Sequence, residues 1–335
     1  MTESNKTLIL IEDIRLQAKK RQARIVFPEG EDERTIRATN RLDDEEICRP
    51  ILMGDPEKII QKAQTHKIPF DEKSVEIVDP KQSSQYETYS QQYFELRKHK
   101  QITESDAYKK MLDPLFFGAM MIRNGDADGG VTGAVHATGD VLRAGIQCIG
   151  VIEGLSLVSS CFLMLVPNWP VPLTFADAGV VPDPNAEQLA CIAIASANTH
   201  KKLTKQDPIV AMLSFSTKGS AQHERVDKVC EAVEIAKKLA PDLLIDGELQ
   251  GDAALVADIG NQKAPGSPVA GRANVLIFPD LDSANICYKL TQRLACATAL
   301  GPLVQGLVKP FMDLSRGCSA DDIVDVAAIC AVLGA

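Results

Sequence analysis

The chain has 335 residues, 45% of them apolar and 24% charged, which is ordinary globular composition with room for one large α/β domain or two domains. Its formal net charge of −9 excludes a protein that grips nucleic acid through a basic field, though a few local cations can still serve a small anion. Nine cysteines without a CxxC pair, several inside apolar runs (Cys161, Cys330), read as reduced and mostly buried small hydrophobes, not as a disulfide framework or zinc site.

The opening "MTESNKTLILIEDI" has no basic region leading a long apolar stretch, so no signal peptide is expected. Short apolar runs then recur: "RIVFPEG", "SVEIVDP", "DGGVTGA", "CFLMLVP", "VPLTFAD", "PIVAMLSFS", "LLIDGELQ" and "NVLIFPD". Each stops at Gly, Pro or an acid, the pattern of buried strands. Residues 80–112 are polar, helical and strand-free, and a domain boundary is expected near residue 152. The uncharged stretch from Gly154 to Ala176 holds Pro167, Pro170 and Pro172, so two strands around "PNWP" are expected there instead of a membrane span. "NAEQLACIAIASANTHKKL" and "HERVDKVCEAVEIAKKLA" are amphipathic helices; the second places Val226, Val229, Val233, Ala236 and Leu239 on one face. Strands alternating with helices give an α/β fold with mostly parallel sheets flanked by helices. Ligands of such sheets sit beyond the carboxyl ends of the strands.

There is no GxGxxG after a strand, no GxxxxGK[ST], no GxSxG and no HExxH; the five histidines (His66, His99, His136, His200, His223) are scattered. Five stretches remain. In "SFSTKGSA" a strand ends and Ser216, Thr217, Lys218, Gly219 and Ser220 lead toward a helix, which suits an anion or an ordinary Ser-capped loop. In "VTGAVHATGDVLRAG" small residues follow a strand, then Thr138 and a helix with Arg143; the glycines admit either a ligand or close packing. "ELRKHK" sets Arg97 beside Lys98, His99 and Lys100, as a phosphate grip or a solvated face. Asp246, Glu248 and Asp252 of "IDGELQGDAAL" suit a metal or a pairing with Lys or Arg. In "DLSRGCSADDIVD", Ser319 and Asp322 form an [ST]xx[DE] cap signal. That cap leaves Ser315 and Arg316 unexplained. An arginine beside a hydroxyl and a helix start suits developing negative charge.

Together with "DPLFFGAMM", "FADAGVVPDPNAEQLACIAIASA", "KAPGSPVAGRANVLIFPDLDSANICYK" and "GPLVQGL", these stretches make the chain resemble the phosphate acetyl/butyryl transferase family over nearly its whole length. The resemblance implies an isocitrate/isopropylmalate dehydrogenase-like fold of two α/β domains with the active site in the cleft. Residues 1–152 plus 302–335 would form the first domain, and 153–301 the second, dimerising one. It implies the reaction acetyl-CoA + phosphate = CoA + acetyl phosphate, with coenzyme A as substrate, no permanently bound cofactor, no metal and no covalent intermediate. By motif match, Asp322 is the general base for the CoA thiol, Ser315 supports the thiol or acyl group, and Arg316 stabilises the oxyanion. Arg97 and Arg143 match CoA-phosphate-binding arginines, and Ser216, Lys218, Gly219, Ser220 and Thr138 join them as substrate-binding candidates. A cytoplasmic homodimer coupled to acetate kinase, binding neither nucleic acid nor membrane, completes the expectation.

One strain accompanies it. A thiol titrates near 8.5 and an Asp near 3.9, so complete proton transfer before attack costs about 6 kcal/mol. Either burial makes Asp322 a stronger base or proton transfer is concerted with attack; an Arg316 aimed at the oxyanion favours the second. Transfer of propionyl or butyryl groups stays open, since a methylene is worth only about 1–3 kcal/mol in a pocket. A non-catalytic regulatory module, like the related C-terminal region of some malic enzymes, is disfavoured by Ser315, Arg316 and Asp322 occurring together. An NAD-linked decarboxylating dehydrogenase of the same fold lacks a matching motif here.

Overall fold

The structure, a computed structural model, describes residues 4–71, 74–153 and 157–334. Among these, eleven strands and thirteen α-helices are numbered in chain order. They divide into two compact units, one built from Ile11–Ile152 with Leu307–Ala335, the other from Glu153–Gly306 with Met1–Leu10.

The first unit carries an all-parallel sheet of β1 (Arg24–Phe27), β2 (Arg49–Met53), β3 (Glu76–Val78), β4 (Gly129–Val131) and β11 (Phe311–Met312), in the order β11-β4-β1-β2-β3. Its helices are α1 (Ser4–Arg21, which begins within the other unit's N-terminal residues), α2 (Glu33–Asp44), α3 (Pro56–Thr65), α4 (Tyr86–Arg97), α5 (Glu104–Lys110), α6 (Pro114–Asn124), α7 (Thr138–Ala144) and α13 (Ala320–Leu333). Two of them start at Asp-Pro: the Asp55 and Asp113 carboxylates accept the Glu57 and Leu115 amides at 3.0 Å, and proline fills the first helical position. Strand β4 is nearly all glycine because its faces are taken. A Cβ at Gly129 would lie 2.6 Å from Cys330 Sγ of α13, and one at Gly130 2.7 Å from the Phe311 ring.

The second unit carries β5 (Ser159–Leu165), β6 (Leu173–Ala176), β7 (Ile209–Leu213), β8 (Leu244–Leu249), β9 (Val275–Ile277) and β10 (Thr298–Gln305). Their order is β10-β5-β6-β9-β7-β8; the β10–β5 and β5–β6 pairs are antiparallel and the rest parallel. The helices are α8 (Ala186–Thr204), α9 (Glu224–Leu239), α10 (Gly251–Leu255), α11 (Ala257–Lys263) and α12 (Leu281–Leu294). The mostly parallel, helix-flanked α/β architecture expected from the sequence is present, including the strand pair around Pro167–Pro170. Among the described residues no helix is long and apolar enough to cross a membrane.

Three strands escape the sequence patterns. β2 opens on Arg-Pro, β11 is two residues long, and β10 is broken by Gly301-Pro302, where its pairing with β5 bulges between Leu300 and Leu303. One residue is corrected. Leu239 does not share the buried face of α9: it ends the helix and is 61% exposed.

Candidate active site

In the first unit, three loops leave the carboxyl ends of adjacent strands: residues 28–32 after β1, 132–137 after β4 and 313–319 after β11. The second of these contains the small-residue stretch "TGAVHA", whose backbone amides converge as an anion cradle would. They converge on the protein's own Glu29. This buried carboxylate accepts from the amides of Gly133 (3.1 Å), Ala134 (2.8 Å), Val135 (2.9 Å) and His136 (2.7 Å), and lies 2.7 Å from His136 Nδ1. Burial alone would raise its pKa, but the His136 ring and the amides of His136 and Val135 hold it below the usual glutamate value. Gly133 is required here: its φ is +101°, and a Cβ would come 2.2 Å from Asp313 Oδ1.

Arg34, in the first turn of α2, ties the same loop to the C-terminal turn. Its Nη2 donates to Ala134 O at 2.8 Å, and its Nη1 donates to Arg316 O at 2.8 Å and Cys318 O at 3.2 Å. Asp32 holds the guanidinium in place at 3.0 Å. The carbonyls of Arg316 and Cys318 are therefore fixed, while the side chains of Ser315 and Arg316 are exposed. The Arg316 guanidinium has no partner among the described residues, and Ser315 Oγ accepts only a long bond from the Gly317 amide, 3.4 Å.

The Ser319 cap is formed. Ser319 Oγ accepts the Asp322 amide at 3.2 Å, and Asp322 Oδ2 accepts from Ser319 N at 2.8 Å and Ser319 Oγ at 2.9 Å. Capping uses only one carboxylate oxygen; Oδ1 is without a hydrogen bond among the described residues, and Asp322 is exposed. Beneath the turn, buried Asp313 accepts from Thr138 Oγ1 at 2.6 Å, and burial pushes its carboxyl up to about 6. Asp313 Oδ1 and Thr132 Oγ1 are buried without partners.

Thr138 thus stands at the start of α7, turned to Asp313. Arg143, on the same helix, is exposed and paired with Asp140. Arg97 ends α4, half-buried, with no ion pair among the described residues, while its neighbour Lys98 binds Glu95.

In the second unit, the glycine loop left open between an anion site and an ordinary loop bonds the protein's own acids. Within residues 214–221, Gly219 N and Ser216 Oγ bond Glu248 Oε1 at 2.7 and 2.9 Å, while Lys218, Gly219 and Ser220 remain exposed. Lys218 Nζ bonds Asp246 Oδ1 at 2.6 Å and Gly247 O at 2.7 Å. Ser220 Oγ accepts the Thr217 amide at 2.9 Å, and the helix cap expected from serine is supplied by His223 instead. Of the acids left open between metal and pairing, Asp246 pairs with Lys218, and Asp252 with Lys263.

Sequence reasoning missed Glu29, Arg34, His136 and Asp313. A signal existed for two of them. Glu29 and Asp313 are acids placed directly after buried apolar strands, where an isolated charge is costly unless hydrogen-bonded. Arg34 gives no local sign beyond its acidic neighbour Asp32, because the carbonyls it braces lie 100 to 284 positions away.

The family described as Phosphate acetyl/butaryl transferase matches residues 9–331. The chain is 51% identical over 327 residues to the phosphate acetyltransferase of Thermoanaerobacterium thermosaccharolyticum, covering 96% of this chain and 98% of that protein. Among solved structures it is similar to a phosphotransacetylase from Streptococcus pyogenes, with TM-score 0.93, 44% identity and coverage of 97% and 98% of the two chains. It is also similar to the EutD phosphotransacetylase from Staphylococcus aureus, with TM-score 0.89, 39% identity and coverage of 97% and 99%.

Proposed function

The chain belongs to the phosphate acetyl/butyryl transferase family, and on that premise we propose that it transfers an acetyl group reversibly between coenzyme A and inorganic phosphate: acetyl-CoA + phosphate = CoA + acetyl phosphate. The observation that carries this reading to particular atoms is the C-terminal turn. Its carbonyls are locked by Arg34, while the Arg316 guanidinium, the Ser315 hydroxyl and Asp322 Oδ1 stay uncommitted.

In the direction of CoA attack, the thiol sulfur bonds the carbonyl carbon of acetyl phosphate as its proton passes to Asp322 Oδ1. The carbonyl π pair moves onto oxygen, where Arg316 stabilises it, and Ser315 supports the thiol. Collapse of this adduct returns the pair and expels phosphate. Asp322 is exposed, and proton transfer to it is assigned as concerted with attack. Arg97 and Arg143 are assigned to CoA phosphates; Arg143 has to exchange Asp140 for its ligand. Thr138, Ser216, Lys218, Gly219 and Ser220 are assigned to substrate binding, with Glu248 and Asp246 setting the geometry of the last four.

The unit built on Glu153–Gly306 is assigned to self-association as a homodimer. Support comes from α12, where Ile286, Leu290 and Leu294, spaced by four, are exposed. A cytoplasmic setting in which acetate kinase consumes the acetyl phosphate belongs to the same proposal.

The test is thiol release from acetyl-CoA. Purified protein is expected to release CoA only with phosphate or arsenate, unaffected by EDTA. Strict metal dependence, or no thiol release from any short acyl-CoA, would sink the reading.

A further inference from the structure

We infer that His136 binds the phosphate substrate directly, donating its Nε2–H to an oxygen of inorganic phosphate or of the phosphoryl group of acetyl phosphate. The inference rests on the transferase reading above and deepens it.

Location comes first. Arg34 holds Ala134 O and Arg316 O, each at 2.8 Å, with the two outer nitrogens of one guanidinium. The backbone two residues before His136 therefore lies against the backbone of the turn that carries Ser315 and Arg316. Both segments follow the carboxyl ends of neighbouring strands, β4 and β11, where such sheets place ligands.

The imidazole is half committed. Nδ1 sits 2.7 Å from Glu29 Oε1, which fixes the ring and keeps the Nδ1 proton in place. Nε2 has no partner among the described residues, and the side chain is 32% exposed. The largest charges acting on the ring are Glu29, Asp113 of the α6 cap and Asp140 of α7, all acids, and Glu29 also faces Arg34. The Glu29 hydrogen bond, opposed by partial burial, lifts His136 above the ordinary histidine value. A ring with Nδ1 donating to Glu29 offers phosphate a donor at Nε2 only when protonated, and this environment favours that form.

His200 shows the opposite design. It is fully buried, its Nδ1 faces Thr174 Oγ1 at 2.9 Å, its Nε2 is unpartnered, and burial pushes it down to about 4. That ring is pushed toward the neutral form in the core; His136 is pushed toward the charged form at a loop surface. The loop also needs such a side chain. Its amides at 133–136 are consumed by Glu29, so a phosphate approaching this edge has to be met by side-chain donors.

The experiment separates the two ring nitrogens. His136→Asn places an amide N–H near Nδ1 and keeps the Glu29 contact, but has nothing at Nε2. His136→Gln reaches the Nε2 position and gives up Nδ1. For His136→Asn, KM for phosphate and for acetyl phosphate is expected to rise about tenfold or more, as for a lost hydrogen bond between charged groups. KM for CoA is expected to stay within about twofold, and His136→Gln is expected to lose less. An unchanged phosphate KM in His136→Asn overturns the inference, and so does an equal rise in the KM of both substrates. If the wild type shows no phosphate-dependent CoA release, the transferase reading itself has failed.

Should His136→Asn not fold, ring-selective NMR of the wild type decides. The His136 signal is assigned by elimination against His66→Gln, His99→Gln and His223→Gln and the buried His200. Titration with phosphate, at ionic strength held constant with chloride, is expected to shift it and raise its titration midpoint. A signal indifferent to phosphate overturns the inference.

Discussion

Two glycine loops, one in each unit, look alike in sequence and are built on the same trick. Each offers hydrogen-bond donors as though to an anion, and each meets a buried glutamate of the protein itself. They differ in the donors that glutamate takes. Glu29 takes four consecutive backbone amides and a histidine ring, whereas Glu248 takes one amide, a serine hydroxyl and the Cys230 thiol. Both carboxylates are held below the usual value although burial pushes the other way. The first loop spends backbone and keeps side chains for its surroundings; the second spends the hydroxyl of Ser216 and, through Asp246, the ammonium of Lys218. A cluster of donors read from sequence is thus no guide to an anion site until its internal carboxylates are known.

The sharpest way to break this comparison is to neutralise the two acids in turn. Glu29→Gln turns an amide group toward donors that have no other acceptor, and is expected to cost about 3–5 kcal/mol of stability. Glu248→Gln, with one backbone amide to strand, is expected to cost about 1–2 kcal/mol. Urea midpoints at neutral pH measure both, and equal losses would erase the distinction.

Next in size is the turn that Arg34 braces beside the Glu29 loop. Arg316→Gln is expected to lower kcat by about 10²–10³ with little change in CoA affinity, as for loss of an oxyanion donor. Asp322→Asn should also lower kcat but leave the fold intact, because an asparagine oxygen still serves the cap. Near-normal kcat with a large stability loss in Asp322→Asn would reduce that residue to its capping role.

The smallest effect contrasts Glu29 with its neighbour Asp313, a buried acid that has too few donors. Its folded pKa is raised, from 3.8 to about 6. The folded state therefore holds a proton that the unfolded state has released between those values, and stability falls as pH rises through this window. The loss is on the order of 2–3 kcal/mol, complete above pH about 6. Asp313→Asn mimics the protonated acid, so the wild type should lose stability relative to it from pH 4 to about 6 and run parallel above. A constant difference across that range would show that Asp313 does not titrate there.

Much of this molecule is legible in its sequence. Apolar runs ending at Gly, Pro or Asp locate most strands, and Ser319 with Asp322 announces a cap that forms as read. Ser315 and Arg316 stand out because the cap does not need them. The rest is not legible, because the deciding contacts are long-range. Nothing near "SFSTKGSA" says that its donors meet Glu248, 29 and 32 positions on. Nothing near "FPEG" says that Glu29 reaches residues 104 to 107 positions away. Leu239 fails for a simpler cause, as periodicity continues to a helix end that the core does not reach.

The chain order of the first sheet bears on how a growing polypeptide matures. β4 is finished early, yet its neighbour on one side, β11, and the helix packed on its glycines, α13, are translated only after the whole segment from Glu153 to Gly306. The second unit is continuous apart from its first few residues and can collapse while the first still shows an open strand edge and a glycine-lined apolar face. Such an edge is a template for pairing with another chain. On a polysome, where identical nascent chains crowd together, the hazard is greatest just before β11 emerges. The segment that pairs with the β4 edge is also the one that carries Ser315, Arg316 and Asp322, so the same late stretch of chain that covers this edge delivers the side chains proposed above for the chemistry.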